Sequence, residues 1–280
     1  MVGVRTICLL LACCFLGTAS SEAGLWDRLS GRKMEQVLPP TIKVLLLHDQ
    51  PGAMLEMKGP YRIYDPNTGD HISTRLMGKR RYMLPMTEGL QWGEEFPGVH
   101  QLMFTPDNHN STMLVDGVEY KGNLYVYSVE GVLSVVNEVL LEDYVKSVMS
   151  KRFRDPMDEE LFAAIAIAMR TDALYHARHP ATYFWAVDAK EVGYVGSVIV
   201  LPFSPVAAAV DATRHLVLSQ AQMGREEAFP IAPGTLFSKR LDLPQAEKKA
   251  HRGDNAAQIL ADAFPNTLMR LDYPLAVSRD

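Results

Sequence analysis

Residues 141–176 read LEDYVKSVMSKRFRDPMDEELFAAIAIAMRTDALYH, and this stretch decides the fold. Leu141, Tyr144, Val145, Val148 and Met149 fall at offsets 0, 3, 4, 7 and 8, which lines up one apolar helix face. Pro156 interrupts the pattern. Asp158 stands where it can cap a second helix, with Glu159 and Glu160 favourable against the dipole of the first turn. That helix carries an Ala/Ile run and ends by His179-Pro180, because a residue before proline avoids the helical region. Its alanines let the backbone approach whatever lies against it. The expectation is two helices meeting at a corner, with residues 150–156 exposed at the joint.

Working outward, the chain before the corner is strand-rich. TIKVLLLHD (41–49) is a continuous apolar run bounded by turn residues, hence a buried strand. The alternation on either side of Lys58-Gly59-Pro60 predicts a hairpin, Asp65–Gly69 a turn, and HISTRL the next strand. Lys79-Arg80-Arg81 reads as a solvated turn, with contact to an anionic polymer as the alternative. Residues 85–110 read as a long loop rich in Pro, Gly and Asn, anchored by Trp92; near Glu94 and Glu95 that ring has sugar stacking as its alternative role. MLVDGVEYKG, LYVYSV and VLSVVNEV predict strands joined by Asp116-Gly117 and Glu130-Gly131 turns.

After the corner, ATYFWAV (181–187) and GSVIVL (196–201) read as strands. A short helix is expected from Pro205, then a strand at HLVLSQ. Residues 223–245 read as irregular, followed by a last helix at DNAAQILADAF capped by Asp254. The predicted class is α+β: a strand-rich N-terminal half, a central helix pair and a mixed β/α C-terminal part.

These segments resemble the SpoIID/LytB family, the stage II sporulation protein D type of cell-wall protein. In that family a "v-N-x-v-x-L-E-x-Y" segment runs into a helix, a corner glutamate, and a second helix ending "A-x-A-x-A-R-T". Asn137, Leu141, Glu142 and Tyr144 match the first part; Ala164, Ala166, Ala168, Arg170 and Thr171 match the second, without a gap. Tyr120-Lys121-Gly122 and the strands after it resemble the family's "Y-x-G" strand pair. Ala246, Ala250, Gly253 and AAQILADAFPNTLMRL resemble its closing segment. The likeness spans residues 41–276, which sets the expected domain.

The remaining N-terminal sequence is of another kind. Arg5, the apolar ICLLLACCFLGTA and small residues from Ala19 to Ala23 have the layout of a signal peptide over residues 1–23, and 24–40 read as a proline-closed linker. Leu10-Leu11-Ala12-Cys13 also resembles a lipobox, so that lipid anchoring at Cys13 competes with cleavage and release. Cys8, Cys13 and Cys14, all the cysteines of the chain, lie in this segment. An exported domain would then hold together by core burial, without disulfides. The expected location is the periplasm or cell envelope, with membrane contact only through the signal or anchor.

Composition narrows the partners. The chain has 280 residues, 48% hydrophobic and 22% charged, which suits a soluble globular domain. A net charge of −5 gives no basic excess for nucleic acid. His176 and His179 stand three apart without H-E-x-x-H or a cysteine partner, so no metal is expected. Neither a Walker loop nor a dinucleotide fingerprint is present, and no cofactor is expected.

The resemblance implies chemistry at the corner. In the family the corner glutamate is the acid/base of a lytic transglycosylase, which cuts between N-acetylmuramic acid and N-acetylglucosamine while the muramic C6 hydroxyl closes an anhydro ring. Here the ungapped register puts Arg152 at that position, and a guanidinium stays protonated and cannot relay the proton. Asp155 and Glu159 are the candidate displaced acids; the alternative is that they cap and solvate the second helix with Asp158 and Glu160. The family's "G-H-G-x-G-x-S-Q" segment is replaced by LFSKRLDL, and Val192 stands where a glutamine precedes the second "Y-x-G" (Tyr194-Val195-Gly196). Asn137, Glu142, Tyr144, Arg152, Arg170 and Thr171 are candidates for the glycan cleft, or for bracing it. Arg170, within an apolar helical run, must reach solvent or find a partner such as Glu142 or Asp143. The function expected is action on peptidoglycan glycan strands in remodelling or division. Transglycosylase with a displaced acid, glycan-binding or amidase-enhancing module, and envelope scaffold all stay open.

Overall fold

Val, Ile, Leu and Tyr alternate through the first third of the domain and build sheets there; alanine takes over where helices must pack tightly. The computed structural model describes residues 38–272 apart from 109–110, 181, 198–199, 223–224 and 228–235. The segment read as a signal peptide and nearly all of the one read as a linker lie outside the described residues. From Pro39 onward the described chain belongs to the unit Pro39–Tyr273.

Twelve strands come first: β1 (Thr41–Gln50), β2 (Ala53–Lys58), β3 (Tyr61–Tyr64), β4 (His71–Arg75), β5 (Lys79–Met86), β6 (Gly89–Trp92), β7 (Glu94–Pro97), β8 (Gln101–Pro106), β9 (Thr112–Val115), β10 (Val118–Tyr120), β11 (Asn123–Val129) and β12 (Val132–Leu140). The helix pair follows as α1 (Leu141–Arg152) and α2 (Glu159–Arg178). The remainder is β13 (Val187–Asp188), α3 (Ala189–Val192), α4 (Pro205–Ala212), β14 (Leu216–Gln222), β15 (Arg225–Glu227), α5 (Phe237–Arg240), α6 (Leu243–Ala250), α7 (Ala256–Ala263) and β16 (Thr267–Leu271). The class is α+β, as expected.

Among the described residues the strands form three sheets, ordered β13-β1-β12-β11-β8-β3-β4, β10-β9-β2-β5-β6-β7 and β15-β14-β16. One apolar cluster runs through the two larger sheets and the helix pair, from Leu55 and Trp92 through Val126 and Val135 to Val145 and Ile165. The site is therefore mounted on the same core that holds the sheets together.

The structure corrects several expectations. The predicted hairpin at Lys58-Gly59-Pro60 is a crossover: β2 pairs with β5 and β9, while β3 pairs with β4 and β8 in the other sheet. Alternation on both sides of a turn marks two half-buried strands, but not that they pair with each other. Lys79, Arg80 and Arg81 begin β5 instead of forming a turn, and Lys79 pairs with Glu94 at 3.2 Å. The supposed loop at 85–110 contains β6, β7 and β8; Trp92 is fully buried and donates to the Arg81 carbonyl, which removes it as a sugar platform.

Further on, among the described residues the two runs read as strands contain the two-residue β13 and no other strand. The region 223–245 holds β15, α5 and the start of α6. The last helix is capped by Asn255, not Asp254, in a capping box with Gln258.

Other expectations hold. Asp158 caps α2, its carboxylate accepting from the Glu160 N–H at 2.9 Å. Asp116-Gly117 and Glu130-Gly131 are hairpin turns with positive φ at both residues.

Gly122, the last residue of the first "Y-x-G", sits at φ 84° where an added Cβ would stand 2.1 Å from the Glu138 carbonyl of β12. Gly122→Ala is accordingly expected to lower unfolding free energy by roughly 1–3 kcal/mol from backbone strain alone. Urea denaturation followed by circular dichroism measures it.

Candidate functional site at the helix corner

Strand β12 runs into α1 with no loop between them, so the sheet fixes the direction of the helix. The Leu141 N–H donates to the Pro40 carbonyl at 2.9 Å, tying that junction to the entry of β1. Leu141, Tyr144, Val145, Val148 and Met149 are buried on one face, as their spacing requires. Buried Ala164, Ala166 and Ala168 allow α2 to pack closely.

Arg170 is 1% exposed and is held on every side. Its Nε and Nη2 donate to the two oxygens of Glu142 at 2.8 and 2.9 Å. Nη2 also donates to the Val210 carbonyl at 2.9 Å, and Nη1 to the Leu216 carbonyl at 3.2 Å and the Thr213 hydroxyl at 3.3 Å. One guanidinium thus joins α1, α2, the end of α4 and β14. The partner named from sequence is the one found.

Thr171 accepts from the Leu218 N–H and donates to the Ile167 carbonyl. Asn137, fully buried, donates to the Lys121 and Asn123 carbonyls and accepts the Tyr194 hydroxyl at 2.7 Å. Tyr194 in turn stacks on Tyr144 at 5.6 Å, and burial pushes both phenols up, so they stay neutral. Asn137, Arg170 and Thr171 therefore brace the corner from inside and present no surface to a sugar; Glu142 and Tyr144 serve the same frame.

The corner itself is open. Arg152 ends α1 exposed, its guanidinium 5.4 Å from the Phe153 ring centre, and pairs with no acid among the described residues. A cavity of about 460 Å³ is lined by its sequence neighbours Phe153, Arg154 and Asp155 with Phe162, Leu201 and Pro205, and Arg152 itself stands outside that lining. Asp155 is exposed on the cavity wall. Glu159 lies in the first turn of α2 outside that lining, and Glu160 is occupied, accepting the Ala256 N–H at 2.7 Å to steady the start of α7.

A second cavity, of about 480 Å³, opens on the other side of the 201–205 segment. Lys121, Asp143, Lys146 and Asp211 line it, with Tyr194 and Phe203. Two ion pairs stand in it, Lys146–Asp211 at 2.7 Å and Lys121–Asp143 at 3.6 Å, and Glu119 adds a third acid to the lining. Sequence reasoning missed this cavity, and the signal available was Pro202-Phe203-Ser204-Pro205, an aromatic clamped between prolines. His176 and His179 both pack on Tyr175, and no third metal-ligating side chain joins them among the described residues.

Behind the corner, Asp172 accepts the Phe237 and Ser238 N–H groups at 2.8 Å each, capping α5. Burial outweighs these hydrogen bonds and the nearby Lys239, so its carboxyl is pushed up to about 6.

The frame defines a class of protein: an α+β domain in which a sheet delivers two helices to an open corner locked by a buried arginine–glutamate pair. Residues 129–219 match the family described as SpoIID, stage II sporulation protein. A protein of Chlamydia pneumoniae described as uncharacterised is 38% identical over 232 residues, 81% of this chain and 80% of its own length. Another, from Chlamydia muridarum, is 34% identical over 224 residues, 79% of this chain and 74% of its own. No solved structure matches. The chain belongs to the SpoIID family, and membership points to a sporulation- or cell-wall-related function.

Two measurements check the frame. Arg170→Met should cost about 3–5 kcal/mol by stranding the Glu142 carboxylate, and adding Glu142→Met should restore much of it, as a double-mutant cycle of urea midpoints would record. Asp172 binds its proton more tightly folded than unfolded. Its contribution to stability should therefore fall as pH rises from about 4 to about 6, by on the order of 3 kcal/mol, a slope that Asp172→Asn removes.

Proposed function

We propose that the chain is an exported cell-wall domain that engages peptidoglycan glycan strands at the helix corner without cleaving them by the family's acid chemistry. The observation that carries this is Arg152, an exposed cation at the position of the family's acid. A guanidinium cannot hand a proton to a glycosidic oxygen, but its fixed fork of donors suits a carboxylate. Strands stripped of stem peptide expose the lactyl carboxylate of each muramic acid. Arg152 binds that group, and the apolar wall of Phe153 and Phe162 receives the ring beside it. Export through residues 1–23, with anchoring at Cys13 as the alternative to release, brings the domain to its substrate. A cell-wall amidase, which produces stripped strands, is the matching partner.

A second reading rests on Asp155. Its position on the wall of the corner cavity, beside Phe153 and Phe162, is the part-apolar setting a displaced general acid needs. Incubation of the full chain with peptide-free strands separates the two. The proposal expects co-sedimentation with the strands, weakened several-fold in Arg152→Ala, and no anhydromuramyl product. Product from the wild type would overturn it, and loss of that product in Asp155→Ala would establish the displaced acid.

A further inference from the structure

Phe203 is 99% exposed, whereas Phe96, Phe104, Phe162, Phe237 and Phe264 are buried in the core. The backbone at Phe203 is also unusual. The Ser204 N–H donates to the Leu201 carbonyl at 3.2 Å, closing a four-residue turn with Pro202 second and Phe203 third at φ 62°. Proline followed by a positive φ is the type II pattern, and its third position calls for glycine. A phenylalanine there adds strain and gains no packing in return. Strain of this kind, held in place by its surroundings, marks a functional position.

The surroundings do hold it. Pro202 and Pro205 flank the ring, and Ser204 caps α4 through the Ala207 N–H at 3.2 Å. Upstream, the Ser147 hydroxyl fixes the Gly196 carbonyl at 2.6 Å. The ring is presented on a short tip whose backbone is closed by the turn and tied to the start of α4.

That tip is the partition between the two cavities. Leu201, Ser204 and Pro205 line the corner side; Pro202 and Phe203 line the other. The second cavity holds about 480 Å³, within the roughly 300–1,000 Å³ of small-ligand sites. Its lining has two lysines against three acids, Glu119, Asp143 and Asp211, a balance that disfavours an anion. A flat aromatic face beside paired polar groups suits a neutral sugar ring, whose C–H faces pack on the aromatic while its hydroxyls meet the polar wall.

We propose that the second cavity is a saccharide subsite for a neutral N-acetylhexosamine ring, with Phe203 as its stacking face. The idea rests on the glycan reading of the corner and extends it. Glycan strands alternate an acid-bearing muramic residue with a neutral N-acetylglucosamine. A strand with its muramic carboxylate at Arg152 carries a neutral sugar onward past the 201–205 tip.

The test uses the full chain and chitotetraose, a neutral N-acetylglucosamine oligomer, in isothermal titration calorimetry, alongside co-sedimentation with peptide-free strands. Phe203→Ala should weaken chitotetraose binding about tenfold, and Phe203→Trp should retain it. Phe203→Gly should lose binding equally without lowering the thermal midpoint, because glycine fits the turn; a merely structural Phe203 would show the opposite. Unchanged chitotetraose affinity in Phe203→Ala overturns the subsite, as does chitotetraose failing to bind the wild type. If strands still co-sediment in either case, the corner reading survives without the subsite. Phe203-dependent chitotetraose binding without strand binding keeps the subsite and removes the cell-wall reading. Loss of self-association in Phe203→Ala, with sugar binding intact, assigns the ring to contact between copies and overturns the proposal.

Discussion

The structure depends on a guanidinium that has no water. Arg170 is taken fully out of solvent, a cost of several kcal/mol recovered only when the geometry around it is complete. Completion comes from four directions: a bidentate carboxylate on α1, a carbonyl and a hydroxyl at the end of α4, and a carbonyl at the start of β14. Each partner must arrive at its place before the charge can be buried. The pair is therefore weak evidence for stability and better evidence for specificity, because few other packings of these elements would satisfy it. Alanine at positions 164, 166 and 168 is the steric condition for the same arrangement.

This explains how a site can change while its mounting stays. The bracing groups, Asn137, Glu142, Arg170 and Thr171, lie inside and respond to the fold alone. Arg152, Arg154, Asp155 and Pro156 are exposed, at the end of one helix and before the cap of the next, while Phe153 between them packs against the core. An arginine at 152, where the resemblance expects an acid, alters the chemistry available, and its exposed side chain is no part of the core. The motif positions that resemble the family most closely are those that hold the corner, and the position that differs is free to differ.

The helix pair was legible because its signals are local: apolar spacing, a proline, an aspartate cap. The buried pair was legible as a demand, since a charge in an Ala/Ile run needs a partner, and Glu142 was one of two acids within reach. Strand pairing was not. Alternation says which face of a strand is wet, not which neighbour it takes, so the crossover at Gly59-Pro60 passed for a hairpin. Trp92 is the core anchor its sequence reading favoured, but Pro and Gly around it mimic a loop, whereas here they sit on short strands that bury the ring and leave its N–H one carbonyl to find. The helices between 236 and 250 are short, and tertiary contacts such as the Asp172 cap fix the first of them.

The second cavity escaped sequence reading for a different reason. Its charged residues come from the β10–β11 turn, α1 and α4, far apart in the chain, and each alone looks like an ordinary solvated group. Only their pairing, with Glu119 of β10 beside them, turns them into a polar wall. Phe203 was visible in the sequence but uninterpretable, since an aromatic between prolines is equally at home folded back onto a core. The sign of its φ changes that. A ring folded back would gain contacts to offset the turn's strain; a ring held fully in solvent gains none within the molecule. Among the described residues nothing offsets that strain, and the ring-sized cleft beside it is where the proposed sugar would.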